Sequence, residues 1–258
     1  MEDDGFQLVS RKKAARASKV HTHNAQGEYD GMDGVELTKR IDKLKLELIV
    51  TKFYKDTVTT IQTAILEVSP PSHLLCYGIG RIGSCHIART QFVLLLLLRD
   101  HLKLQESSLY DPVLHKEEVT AIEQHGVNML TCNEGCRRTL SQPTLVYMLH
   151  CSSAMYNNLL WANWNKMSLT NVILVSNKLS NYQYRYATQE LKEKWRYIYH
   201  AITLCREVTI HNNYEDGVVF NDIAVHVFPQ HQLSTTPGTV WENCIEPSVD
   251  KCDNEIIL

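Results

Sequence analysis

Gly78, Gly80 and Gly83 stand at Gly-x-Gly-x-x-Gly spacing, directly after an apolar run and before a helix-length segment. In that setting such a turn can hold a dinucleotide. The first glycine permits the tight turn, the second lets backbone approach a pyrophosphate or carboxylate, and the third lets helix and strand pack closely. Amides at the start of the helix would then face the ligand. Asp111, at the end of the second expected strand, is the carboxylate placed for ribose hydroxyls, although it lies 28 positions beyond Gly83 rather than the usual ~20. The pattern suits S-adenosylmethionine as well as NAD or NADP, and the same glycines would also serve a turn that binds nothing.

A second constellation closes the fourth expected strand at His150-Cys151. An imidazole and a thiol there are candidates for base and nucleophile, His150 first because it titrates near neutral pH. They could also join Cys132 and Cys136 around a metal, but Cys-x3-Cys is not the tight knuckle and no second pair matches it, so no metal site is expected. Trp161 and Trp164, at i, i+3, read as core packing. Tyr182, Tyr184 and Tyr186 alternate as one face of an extended segment would, with too few basic neighbours for a base-stacking platform. Asn221-Asp222 reads as a capped turn and His226 as a half-buried histidine.

The elements that must position these residues follow from periodicity. Leu37, Ile41, Leu44 and Leu48 form one helical stripe and Val58, Ile61, Ile65 and Val68 another, ended by Pro70-Pro71. They predict two amphipathic helices, or one broken near Phe53, packed on the main fold. Beyond the prolines, apolar runs alternate with helix-length segments, the order of a parallel sheet. Strands are expected at His73 to Tyr77, Ser108 to Tyr110, Val127 to Leu130, Thr144 to Met148, Asn171 to Val175 and Ile223 to Phe228. Helices fill the gaps, among them about Ser84 to Leu102 and Thr188 to Cys205. The result is a Rossmann-like α/β domain over 70–230, preceded by helices over 34–69 and a flexible basic arm over 1–33, and followed by an irregular tail over 231–258. Ligands of such open sheets lie outside the carboxyl ends of the strands where strand order reverses, here between the first and fourth.

The composition of 258 residues, 44% hydrophobic and 21% charged with formal charge −3, is that of a globular domain without a global field for nucleic acid. The longest apolar run, Phe92 to Leu98, is seven residues, against the roughly 20 a membrane-spanning helix needs. The start of the chain, Met1 to Phe6, lacks the pattern of a secretory signal, so the eight scattered cysteines read as reduced thiols in a cytoplasmic protein. Arg11, Lys12, Lys13, Arg16 and Lys19 in the arm fit a nuclear-import or nucleic-acid patch, although most such runs are simply solvated chain.

Tyr77-Gly78-Ile79-Gly80, Ser84, Ala88-Arg89, Gln91 and the leucines to Leu98 form a recognisable string. Tyr110-Asp111-Pro112, Asn133-Glu134-Gly135, Tyr147-Met148 with His150-Cys151, Asn158-Leu159-Leu160, Asn163-Trp164 and Phe220-Asn221-Asp222 with His226 follow in order. Over about 72–229 the chain resembles the sensitivity-to-red-light-reduced, or SRR, family. It departs from the family pattern at Leu149, at Ser176-Asn177-Lys178 and at Gly83. The resemblance implies a regulator of circadian clock input, clock-gene expression and haem biosynthesis, acting through unidentified protein partners; no catalytic residue comes with it. No cysteine precedes a proline, so the short haem-regulatory Cys-Pro pair is missing. The rival expectation, drawn from the glycine turn and Asp111, is an S-adenosylmethionine-dependent methyltransferase or another nucleotide-cofactor enzyme.

Overall fold

A computed structural model describes residues 30–242 and 244–248. Most of the expected basic arm, and the last ten residues of the expected tail, lie outside them. Helix α1 (Gly34–Ile49) begins where Asp33 accepts from the amides of Val35 and Glu36 at 3.0 and 2.9 Å, and α2 (Lys52–Ile65) begins at the Thr51 hydroxyl. These side chains satisfy amides that a helix start leaves without partners. The break therefore falls at Val50-Thr51, just ahead of Phe53. Leu37, Ile41, Leu48, Phe53, Val58 and Ile61 are buried, as the two stripes require.

The strands are β1 (His73–Tyr77), β2 (Glu106–Tyr110), β3 (Asn128–Met129), β4 (Thr144–Met148), β5 (Val172–Asn177), β6 (Arg206–Thr209) and β7 (Ile223–Val227). They form one sheet in the order β3-β2-β1-β4-β5-β7-β6. The first five run parallel, whereas β7 is antiparallel to both β5 and β6. An all-parallel sheet is thus corrected at its last strand. The link from β6 to β7, residues 210–222, holds no helix among its residues, whereas a parallel return usually crosses over through one. Strand β6, Arg-Glu-Val-Thr, escapes a hydrophobicity reading because it is a half-buried edge strand whose charges are spent on partners: Arg206 meets Glu67 and Glu207 meets His226.

Helix α3 (His86–Leu102) carries the Phe92 to Leu98 run, every residue of it buried. The run lies in one core with α1, α2, α4 (Lys116–Gln124) and one face of the strands, including Leu74, Cys76, Leu145, Tyr147 and Ile173. The alternate residues Leu75, Tyr77, Val146, Met148 and Leu174 face a second core with α5 (Ser153–Ala162) and α9 (Arg196–Leu204). Burial on both faces is what near-continuous apolar strands mean. The single helix expected over 188–205 is divided at Trp195 into α8 (Thr188–Lys194) and α9, following the short helices α6 (Lys166–Leu169) and α7 (Tyr182–Arg185). Helix α7 replaces the extended segment expected at the tyrosines, leaving Tyr182 buried and Tyr184 exposed. Residues 230–235, at the start of the expected irregular tail, form α10 (Gln230–Thr235).

His226 is fully buried rather than half-buried. Its Nε2 lies 2.9 Å from the Glu207 carboxylate and its Nδ1 3.2 Å from the Leu174 carbonyl. Ser180 donates to the same carboxylate through its amide and its hydroxyl. Desolvation would raise the Glu207 pKa, yet the hydrogen bonds from His226 and Ser180 outweigh it and bring it down to about 2. A depressed carboxylate contributes stability above its unfolded value and loses it as pH falls through the folded one. The contribution should vanish between about pH 4.5 and about 2, and Glu207→Gln should flatten this part of the acid limb in urea denaturation; an identical limb in the variant would count against it.

Candidate functional site at the carboxyl edge

The carboxyl ends of β1, β2, β4 and β5 gather the residues singled out above. Strands β1 and β4 are neighbours, and their exit turns touch. Gly78 has φ +70°, and a methyl group at its Cα would sit 2.8 Å from Cys151 Sγ and 3.2 Å from the Met155 methyl. Only glycine meets both demands, the left-handed backbone and the close approach. The Cys151 thiol in turn donates to the Tyr77 carbonyl at 3.4 Å.

The turn's amides are engaged by the chain itself. Gly78 donates to the Tyr110 carbonyl at 3.2 Å, Gly80 to Asp111 Oδ2 at 2.7 Å and Gly83 to Glu118 Oε1 at 2.6 Å. Asp111 also accepts from Val113 through Oδ1, and the fully buried Glu118 accepts from the His115 amide, with Arg81 Nε at 3.3 Å. Burial leads in raising the Asp111 pKa, the amides of Val113 and Gly80 oppose it, and the nearby Glu118 charge adds to it. Arg89, also buried, donates to the carbonyls of Ile82 and Gly83. Two carboxylates therefore occupy the positions from which amides would face a pyrophosphate. Asp111 emerges from the sequence; Glu118 does not, although a glutamate three residues after a helix-capping position is the usual signature of this back-bond.

A second cluster lies across β4, β5 and β7. His150, exposed, has φ +56° and Asp222 φ +58°, two of the four non-glycine residues with left-handed backbone among the described residues. Such conformations cost of order 1–3 kcal/mol and persist where surroundings over-determine them. Here the determinant is Asn177, whose Oδ1 accepts from the His150 amide at 2.6 Å and from the Tyr156 hydroxyl at 3.2 Å. Its Nδ2 faces His150 Nδ1 at 3.1 Å and the Asp222 carbonyl at 3.4 Å. Asp222 accepts from Asn181 at 2.6 Å and from Arg185 at 3.4 Å. The His150 pKa is lowered, first by desolvation; Asp222 opposes this and Arg185 adds to it. His150 and Cys151 are adjacent but differently engaged, and neither joins Cys132 or Cys136 in a ligand set. Among the described residues no group of three or more His, Cys, Asp or Glu is placed to hold a metal ion, seven cysteines are free thiols, and no helix is long and apolar enough to cross a membrane.

The architecture is that of a Rossmann-like α/β protein with a polar carboxyl edge. Residues 57–227 match the SRR1 domain model, and the chain belongs to that family. An SRR1-like protein of Drosophila melanogaster is 25% identical over 257 residues, 96% of this chain and 91% of the fly protein. An SRR1-like protein of Mus musculus is 38% identical over 135 residues, covering 50% of this chain and 54% of the mouse protein. Protein SENSITIVITY TO RED LIGHT REDUCED 1 of Arabidopsis thaliana is 34% identical over 112 residues, 43% of this chain and 41% of the plant protein. Among solved structures, human N-acetylserotonin methyltransferase in complex with S-adenosylmethionine is similar at TM-score 0.37 and 10% identity, over 76% of this chain and 56% of that one. A methyltransferase of Podospora anserina bound to S-adenosylhomocysteine also has TM-score 0.37, with 11% identity over 87% of this chain and 98% of that one. Likeness at this level carries nothing about ligand or reaction.

Replacing Gly78 by alanine should destabilise the protein by about 1–3 kcal/mol, because it adds left-handed strain to the contact with Cys151. A methyl group at the Gly217 Cα would meet nothing within 4 Å, and the backbone there is not left-handed, so the Gly217→Ala variant should unfold at nearly the same urea concentration as the parent. Equal midpoints for both variants would overturn this account of the β1–β4 contact.

Proposed function

We propose that this chain is a regulatory protein, acting in the cytoplasm and nucleus on circadian clock-gene expression and on haem biosynthesis through protein partners. Family membership carries the reading: the SRR1 match spans 57–227, and the plant relative bears the name of a red-light response. The glycine turn supports a role without a dinucleotide, since its Gly80 and Gly83 amides already donate to Asp111 and Glu118. A pyrophosphate would have to displace two buried carboxylates, each a charge-assisted acceptor. Disruption of the gene in cells should alter both haem content and the rhythm of clock transcripts. If both stayed at wild-type levels, the regulatory reading would fail.

A second reading, an S-adenosylmethionine-dependent methyltransferase, is favoured by one observation. Asp111 stands at the tip of β2 beside the glycine turn, where an acid serves ribose hydroxyls in nucleotide-binding sheets. On this reading Gly78, Gly80, Gly83 and Asp111 contact the cofactor and His150 or Cys151 acts on the substrate. Calorimetric titration with S-adenosylmethionine, S-adenosylhomocysteine, NAD and NADP separates the two. The regulatory reading expects no heat at millimolar ligand; saturable heat with either adenosyl compound would replace it by the methyltransferase.

A further inference from the structure

The cluster at the ends of β4 and β5 has a definite hydrogen-bond polarity. Asn177 is buried and its amide has one orientation. The oxygen must face the His150 main-chain N–H, which can only donate and lies 2.6 Å away. The nitrogen therefore faces His150 Nδ1. An amide NH2 can only donate, so Nδ1 carries the lone pair and the neutral ring carries its proton on Nε2. A ring protonated at both nitrogens would set two donors face to face across 3.1 Å. His150 is thereby arranged as an uncharged donor. It is not a base at Nε2, and Nε2 is not free to ligate a metal, which in histidine sites goes with an outward Nδ1–H.

The groups facing that ring set what it would meet. Asp222 is the acid within reach, and both its oxygens are engaged, by Asn181 and by Arg185. Arg185 is half-exposed, lies over the Tyr182 ring at 5.4 Å and has donors left beyond its one long contact with Asp222. Arg185 is the cation that acts on the ring, and Asp222 is the carboxylate that opposes it.

We propose that this edge is a binding site for an oxyanion, a carboxylate or a phosphate ester, held by the His150 Nε2–H and the Arg185 guanidinium, with Asn177 as the positioning residue that fixes the donor. The proposal stands apart from the regulatory reading, because it names a ligand chemistry at β4 and β5 and uses none of the residues of the glycine turn.

The test uses the full chain, 15N-labelled, with His150→Gln to assign the ring. Long-range proton–nitrogen spectra at neutral pH should show the Nε2–H tautomer, and an Nδ1–H or doubly protonated ring would overturn the proposal. Inorganic phosphate and benzoate are then titrated separately. A saturable shift of the His150 ring nitrogens with either probe is expected, and the probe that saturates names the source of the oxyanion. Arg185→Ala, a substitution of an exposed side chain, should weaken that binding roughly tenfold or more, as loss of a charge-assisted bond does. Asn177→Asp should move the ring proton to Nδ1 and raise the His150 pKa while retaining the bond to the main-chain N–H. A merely structural asparagine would leave the tautomer where it was. Absence of saturable shifts with both probes, or binding indifferent to Arg185→Ala, would sink the proposal.

Discussion

A buried backbone amide without an acceptor costs about 1–3 kcal/mol, and the carboxyl edge of this sheet is organised around avoiding that cost. The exit turns of β1 and β4 are each closed by side chains from elements further along the chain. Asp111 closes the turn after β1 at Gly80, Glu118 closes it again at Gly83, Asn177 closes the turn after β4 at His150, and the Tyr156 hydroxyl accepts from Cys151. Neighbouring loops are thus coupled pairwise, β1 to β2 and β4 to β5. The left-handed residues Gly78, Gly80, His150 and Asp222 are where the chain turns sharply enough to present those amides.

The same constraint explains why two clusters of similar origin differ in character. Beside β1 and β2 the acceptors are carboxylates, buried, with Arg81 and Arg89 packed around the same turn. Beside β4 and β5 the acceptor is a neutral amide, and the charges, Asp222 and Arg185, lie further out and partly exposed. The first arrangement consolidates a turn; the second leaves polar groups at the surface.

Much of this architecture was legible in the sequence. The strands β1, β4, β5 and β7 are apolar runs buried on both faces, and the helical stripes of α1 and α2 are unambiguous because packing and periodicity agree. Strand β6 was not legible: its two charges look like loop, and only the fold supplies Glu67 and His226 to meet them. The break at Trp195 was hidden because helical periodicity continues on both sides of it. Of the site residues, Gly78 could be placed beside the fourth strand from strand order alone. The roles of Glu118 and Asn177 could not, since they depend on which amide each side chain reaches across 35 and 27 positions of chain. Family likeness reached further than periodicity toward purpose, and less far toward chemistry.

The two flanks of the sheet differ, and both are guarded. On one side β3 is only two residues long; on the other β6 pairs along a single edge and carries Arg206 and Glu207 tied to residues outside its own strand. A long, flat, unpartnered ladder invites a foreign strand, and brevity and charge are the standard deterrents. This family member can therefore keep a seven-stranded β layer in a crowded cell without offering either border as a template for fibrils.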